Sequence, residues 1–188
     1  MNASESASDT SSSRTTAAAA NSTAQYLTFT LDQERYAVDI AKVREVLEFT
    51  SVTKVPRTPE FMRGMINLRG NIVPVIDLRL KLGLTRTERT VDTCIVITEV
   101  EVEGQPTVLG ALADSVQEVI DLDEASIAPP PRMGTRVDTA FIRGMAKRED
   151  QFLVVLDIQR VLSEDDLRAV AAVPSAATGA RDGSPQTL

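Results

Sequence analysis

The chain of 188 residues has no histidine and no tryptophan, a single cysteine, and only 4% aromatic residues. Without histidine there is no Ser-His-Asp or Cys-His activation of a nucleophile, no imidazole-ligated metal, and none of the commonest general base. One cysteine cannot close an intramolecular disulfide, which fits a reducing compartment, nor can it build a zinc site. Cys94 lies in the apolar run Thr93-Cys94-Ile95-Val96-Ile97 and reads as a small buried residue. There is no Walker A motif and no Gly-x-Gly-x-x-Gly; the nine glycines are scattered as turn formers. No stretch reaches the roughly 18 apolar residues of a membrane span, and the N-terminus lacks a basic patch followed by an apolar stretch. A cytoplasmic protein is expected, without membrane insertion, metal or cofactor. With so few aromatics, the core must come from Val, Ile and Leu.

Net charge is −7 and the isoelectric point about 4.7. An acidic chain is a poor ligand for phosphate backbones, so nucleic acid is excluded as a partner. The average hides a split. Residues 54–90 carry eight Lys and Arg against three acids, whereas residues 91–128 carry nine acids and no Lys or Arg. Two solvated faces account for this pattern, as does head-to-tail association of unlike lobes.

What the chain does have is a repeat. Residues 61–82 read FMRGMINLRGNIVPVIDLRLKL and residues 141–162 read FIRGMAKREDQFLVVLDIQRVL. At an offset of 80, Phe61, Arg63, Gly64, Met65, Val75, Asp77 and Leu82 recur as Phe141, Arg143, Gly144, Met145, Val155, Asp157 and Leu162. At an offset of 73, Val43-Arg44-Glu45-Val46 is echoed by Val116-Gln117-Glu118-Val119. Two copies are too few for a solenoid and imply two pseudo-equivalent subdomains. The copies differ most at a hairpin tip, Asn67-Leu68-Arg69-Gly70-Asn71 against Lys147-Arg148-Glu149-Asp150-Gln151.

Residues 1–24 and 173–188 are rich in Ser, Thr, Ala, Gly and Pro and are expected to be disordered tails around a body at 25–172. Within the body, strand signals dominate. Tyr26–Leu31, Arg35–Val38, Val43–Phe49, Gly64–Leu68, Ile72–Ile76, Thr93–Glu99, Val108–Ala113 and Val116–Leu122 have β-branched or alternating character, and the second copy adds two more strands. Hairpin turns are expected at Asp32-Gln33-Glu34, Arg69-Gly70-Asn71 and Glu103-Gly104-Gln105-Pro106. Asp39 should cap one helical turn, and Pro59 should open a short helix through Met62. Pro74 should sit on an edge strand or at a bulge, because proline donates nothing to a ladder. Pro129-Pro130-Pro131 reads as a stiff connector, and Ser163 as the cap of a C-terminal helix. The predicted fold is mainly β: two small barrels of about five strands, with short helices at corners and at the C-terminus.

Asp77 and Asp157 occupy equivalent positions, which invites comparison with the acid pair of a duplicated β-barrel hydrolase. Each, however, precedes a short apolar helical stretch, where an aspartate caps the helix. The protease Asp-Thr/Ser-Gly neighbourhood is replaced by Asp77-Leu78-Arg79 and Asp157-Ile158-Gln159. A binding module, not an enzyme, is the class these residues favour.

Asn67-Leu68-Arg69-Gly70-Asn71-Ile72-Val73-Pro74-Val75-Ile76-Asp77-Leu78 resembles the signature of the CheW family, the bacterial chemotaxis coupling proteins. So do Asp39-Ile40-Ala41-Lys42-Val43-Arg44-Glu45-Val46 and Pro59-Glu60-Phe61-Met62-Arg63-Gly64, in the same order along the chain. The resemblance implies two intertwined SH3-like five-stranded barrels and no catalysis. It implies an adaptor between chemoreceptor cytoplasmic tips and the regulatory domain of the histidine kinase CheA, held at membrane arrays through these partners. Related domains of this kind can join into rings. A pathway other than flagellar chemotaxis, such as twitching or development, is the alternative within the same fold. Carried over by position, the resemblance marks Val43, Glu45, Val46, Gly64 and Arg69 as receptor-binding. On the residues alone, Val43 and Val46 also suit a core, and the recurrence of Gly64 at Gly144 suits a backbone requirement. Arg69 has no basic counterpart, since Glu149 stands in its place.

Overall fold

A computed structural model describes residues 22–130 and 139–162, together with Asp165, Asp166 and Arg168. Ten strands run in chain order: β1 (Thr23–Leu31), β2 (Glu34–Asp39), β3 (Val43–Glu48), β4 (Met62–Leu68), β5 (Asn71–Asp77), β6 (Cys94–Val102), β7 (Gln105–Ala113), β8 (Ser115–Asp123), β9 (Ile142–Arg148) and β10 (Gln151–Leu156). One-turn helices α1 (Leu78–Lys81) and α2 (Ile158–Val161) follow β5 and β10. The strands form two five-stranded sheets, ordered β8-β1-β2-β10-β9 and β3-β6-β7-β5-β4.

The two orders are one topology written twice, with β1 to β5 matching β6 to β10. Each half of the chain gives its first hairpin to one sheet and its remaining three strands to the other. The join in each sheet is a parallel pair between halves: Val155 beside Ala37, and Val75 beside Gly110. Neither half therefore completes a sheet alone.

Burial follows from this exchange. A shared core between the sheets takes Leu27, Phe29 and Tyr36 from one and Ile76, Val96 and Leu109 from the other. Each sheet also covers a core of its own, around Tyr26, Leu153 and Val155 in the first and Ile66, Val75 and Ile95 in the second. The central strands are thus apolar on both faces, which explains the unbroken run Cys94–Ile97.

The expected five-stranded units are present, but among the described residues no ladder joins the two edge strands of either sheet. A single bridge spans each gap instead. Thr53, beyond β3, exchanges two backbone hydrogen bonds of 2.8 Å with Met65 of β4. Ala128, beyond β8, does the same with Met145 of β9 at 2.9 and 2.8 Å.

Those bridges explain the repeated glycine. A Cβ on Gly64 would lie 2.1 Å from the Thr53 carbonyl oxygen, and Gly64 has a φ of +136°. A Cβ on Gly144 would lie 2.7 Å from the Ala128 oxygen and 2.4 Å from an Ile127 methyl. Both positions keep glycine so that the returning chain can cross β4 and β9 at close range.

Two expectations need correction. Residues Pro59–Phe61 make a single turn closed by Met62 N–H on the Pro59 carbonyl (2.9 Å), not a helix. Pro74 is not on an edge, since β5 lies between β7 and β4. It is tolerated there because its partner Met65 turns its own N–H and C=O toward Thr53, so the Pro74 nitrogen faces the β7 side, where pairing starts only at Val75. The first strand begins at Thr23, just inside the expected N-terminal tail, and Ser22 Oγ donates to Glu124. Residues 1–21, Pro131, the Ser163 cap and 173–188 lie outside the described residues.

Candidate functional site

Both aspartates at the equivalent positions, Asp77 and Asp157, are helix caps. Asp157 accepts from Gln159 N–H (3.1 Å). Asp77 is fully buried and accepts from the backbone of Arg79 and Leu80, from Thr87 N–H and Oγ1, and from Arg63 Nη1 at 2.9 Å. It ties α1, the loop after it and β4 together. Arg143, the counterpart of Arg63, instead reaches Glu124 (2.7 Å) and the Tyr26 hydroxyl (2.9 Å). The bonds from Arg143 and Ser22 hold the Glu124 carboxyl below its ordinary range. Burial pushes the Cys94 thiol up to about 11, so it is protonated and unreactive at neutral pH. Among the described residues, no cluster of His, Cys, Asp and Glu could hold a metal.

The second residue of each helix acts as a clamp. Arg79 bonds Asp32 and Asp114 (3.1 and 3.2 Å), while Gln159 pairs both ways with the backbone of Glu101. In each case a short helix holds the first hairpin of its own half, which lies in the other sheet, and Arg79 also reaches Asp114 at the β7–β8 junction of the second half. Part of the basic and acidic split is therefore consumed inside the fold.

The open end of the β3-β6-β7-β5-β4 sheet is a groove of about 540 Å3 lined by Glu45, Leu68, Arg69, Ile72, Pro74 and Val108, among others. Arg69 sits on the β4–β5 turn with φ +53° and Gly70 with φ +89°, the pairing of a tight two-residue hairpin. The Arg69 guanidinium reaches back across the groove to the Glu45 carboxylate at 2.9 Å, with Arg69 78% exposed. On the same strand Arg44 pairs with Glu99.

A bulge between Val43 and Glu45 sets the faces of β3. Val43 is half-buried against the shared core, Glu45 lines the groove, and Val46 is 40% exposed opposite Val96. The structure thus brings Glu45 and Arg69 into contact and leaves Val46 on the neighbouring face. Gly64 lies on β4 under the Thr53 bridge, away from the tip. The lining from β7, Pro106 to Val108, has no signature in the sequence, because nothing local signals that a strand of the other half pairs beside β5.

The repeat provides a second open end. Thr28, Arg35, Glu118, Ile120, Arg148, Gln151, Phe152 and Leu153 surround only about 20 Å3 there. Among the described residues no helix is long and apolar enough to cross a membrane.

Two hairpin-exchanged sheets, each with an open end framed by edge strands and charged tips, define a scaffold domain that works by binding. The CheW-like domain family matches residues 25–166, so the chain belongs to that family of chemotaxis adaptors. It is 34% identical over 146 residues to the chemotaxis protein CheW of Klebsiella aerogenes, covering 78% of this chain and 86% of that one. It is 30% identical over 160 residues to the protein FrzA of Myxococcus xanthus, covering 84% and 97%. The crystal structure of the scaffolding protein TtCheW from Thermoanaerobacter tengcongensis is similar, with a TM-score of 0.68 and 40% identity over 76% of this chain and 90% of that one.

Proposed function

We propose that this adaptor couples chemoreceptor cytoplasmic tips to the histidine kinase CheA, binding the kinase through its regulatory domain and controlling its activity without catalysis of its own. The protein would act in the cytoplasm, at membrane receptor arrays, where related domains join it in rings. Each sheet with its bridging segment serves as an SH3-like barrel, and the receptor meets the first open end and the β3 edge beside it. The observation that carries this reading is the exposed Arg69–Glu45 ion pair across that groove, next to exposed Val46. A receptor helix offers its own carboxylates and cations to such a pair while its apolar side chains cover Val46 and Val43. Gly64 contributes by holding β4 in place.

The test is binding of a receptor hairpin fragment to Arg69→Glu, Glu45→Arg and the double exchange. Each single reversal leaves two like charges across the groove and should weaken binding by roughly 1–3 kcal/mol, about fivefold to more than a hundredfold. The double exchange should recover part of that loss. Unchanged binding in both single variants would remove the pair from the site. The similarity to FrzA keeps open the second reading, the same adaptor role in a pathway of twitching or development. Complementation of strains lacking the adaptor of one pathway or the other separates the two.

A further inference from the structure

The two hairpin tips of the repeat are one turn tied in two ways. In the first, Leu68 pairs with Asn71, and the turn residues Arg69 and Gly70 have φ of +53° and +89°. In the second, Arg148 pairs with Gln151, and the turn residues Glu149 and Asp150 have φ of +49° and +63°. At the offset of 80, Asn67 and Gly70 correspond to Lys147 and Asp150. Both couples are in contact. Asn67 Oδ1 accepts from Gly70 N–H at 2.8 Å, whereas Lys147 Nζ meets the Asp150 carboxylate at 2.9 Å.

The chemistry of each tie follows from its turn. Arg69 holds a left-handed backbone that its Cβ disfavours, and the Gly70 N–H lies beyond the last ladder pair. Gly70 has no side chain to offer, so its N–H makes the tie and Asn67 supplies the acceptor. The second tip relies on an exposed ion pair, which salt screens; the neutral hydrogen bond of the first tip escapes that screening. We propose that Asn67 is a positioning residue for Arg69. Its carbonyl oxygen locks the left-handed turn, and the turn aims the Arg69 guanidinium back across the groove at Glu45. Without the tie the turn gains other conformations, and a side chain 78% exposed has little else to hold it over the groove. The consequence for receptor binding rests on the function proposed above; the effect on the Arg69–Glu45 contact does not.

The experiment uses the isotope-labelled full chain as parent, Asn67→Ala, Asn67→Asp and Arg69→Ala. Solvent exchange of the Gly70 amide reads the tie. The NMR shift of the Glu45 carboxyl carbon reads the ion pair, with Arg69→Ala marking its unpaired value. Asn67→Ala should speed Gly70 exchange at least threefold and move the Glu45 signal at least halfway to that unpaired value. Asn67→Asp keeps the acceptor and should stay nearer the parent in both. Asn67 is exposed, so each variant should melt close to the parent. Affinity for a receptor hairpin fragment should fall severalfold in Asn67→Ala, yet fall no further when Asn67→Ala is added to Arg69→Ala. A Glu45 signal that stays in place in Asn67→Ala or in Arg69→Ala would overturn the proposal. So would a further loss of affinity when Asn67→Ala is added to Arg69→Ala, since Asn67 would then act on its own. If Arg69→Ala itself binds receptor as the parent does, the receptor reading falls, and the Glu45 signal alone decides the role of Asn67.

Discussion

At the scale of single residues, the repeat separates what folding demands from what a partner demands. Gly64 and Gly144 recur because a bridging backbone passes over each. The clash at Gly64 is with backbone oxygen at 2.1 Å and compounds a left-handed φ; that at Gly144 is with the Ile127 γ-methyl (2.4 Å) and the Ala128 oxygen (2.7 Å), without a left-handed φ. Gly64→Ala should therefore cost about 3 kcal/mol or more, and Gly144→Ala about 1–3 kcal/mol, read as urea-unfolding midpoints. A Gly64→Ala protein as stable as the parent would show that the Thr53 bridge yields freely. Arg69 is the opposite case. Its left-handed turn position would suit Gly or Asn better, its counterpart is acidic Glu149, and it stays exposed. Residue identity alone made Arg69 legible as special, whereas Gly64 could be resolved only once the crossing segment was visible.

At the scale of elements, strand and turn chemistry was readable because it is local. Asp39 caps its one-turn segment by accepting from Ala41 N–H, and Asp77 and Asp157 cap α1 and α2 as their spacing implied. What the sequence did not yield was which strands become neighbours. The expectation for Pro74, an edge strand or a bulge, missed an interior strand because the second partner of β5, β7, belongs to the other half of the chain.

Equivalent caps also differ in weight. Asp157 is about one-third exposed and serves mainly its own helix, so Asp157→Ala should cost about 1 kcal/mol. Asp77→Ala would strand the Arg63 guanidinium and the Thr87 donors, and should cost about 3 kcal/mol or more in thermal or chemical unfolding. Equal losses at the two sites would mean that the Asp77 network adds nothing beyond the cap.

At the scale of the whole molecule, duplication with hairpin exchange yields one body with two related open ends. Neither half can be removed without breaking both sheets, since the parallel pairs β2–β10 and β5–β7 join the halves. The two ends have diverged in chemistry on one framework, the first with its charges paired and a wide groove, the second nearly filled.

Kinase activity in a reconstituted mixture tests the coupling role most directly. Receptor-containing membranes, CheA and this protein are combined, and kinase autophosphorylation is followed with the parent chain and with Arg69→Glu. The parent should raise kinase activity well above that of membranes and kinase alone. Arg69→Glu should fail to do so, while melting within about 0.5 kcal/mol of the parent, as exposed substitutions usually do. No stimulation by the folded parent chain, or full stimulation by Arg69→Glu, would contradict the account.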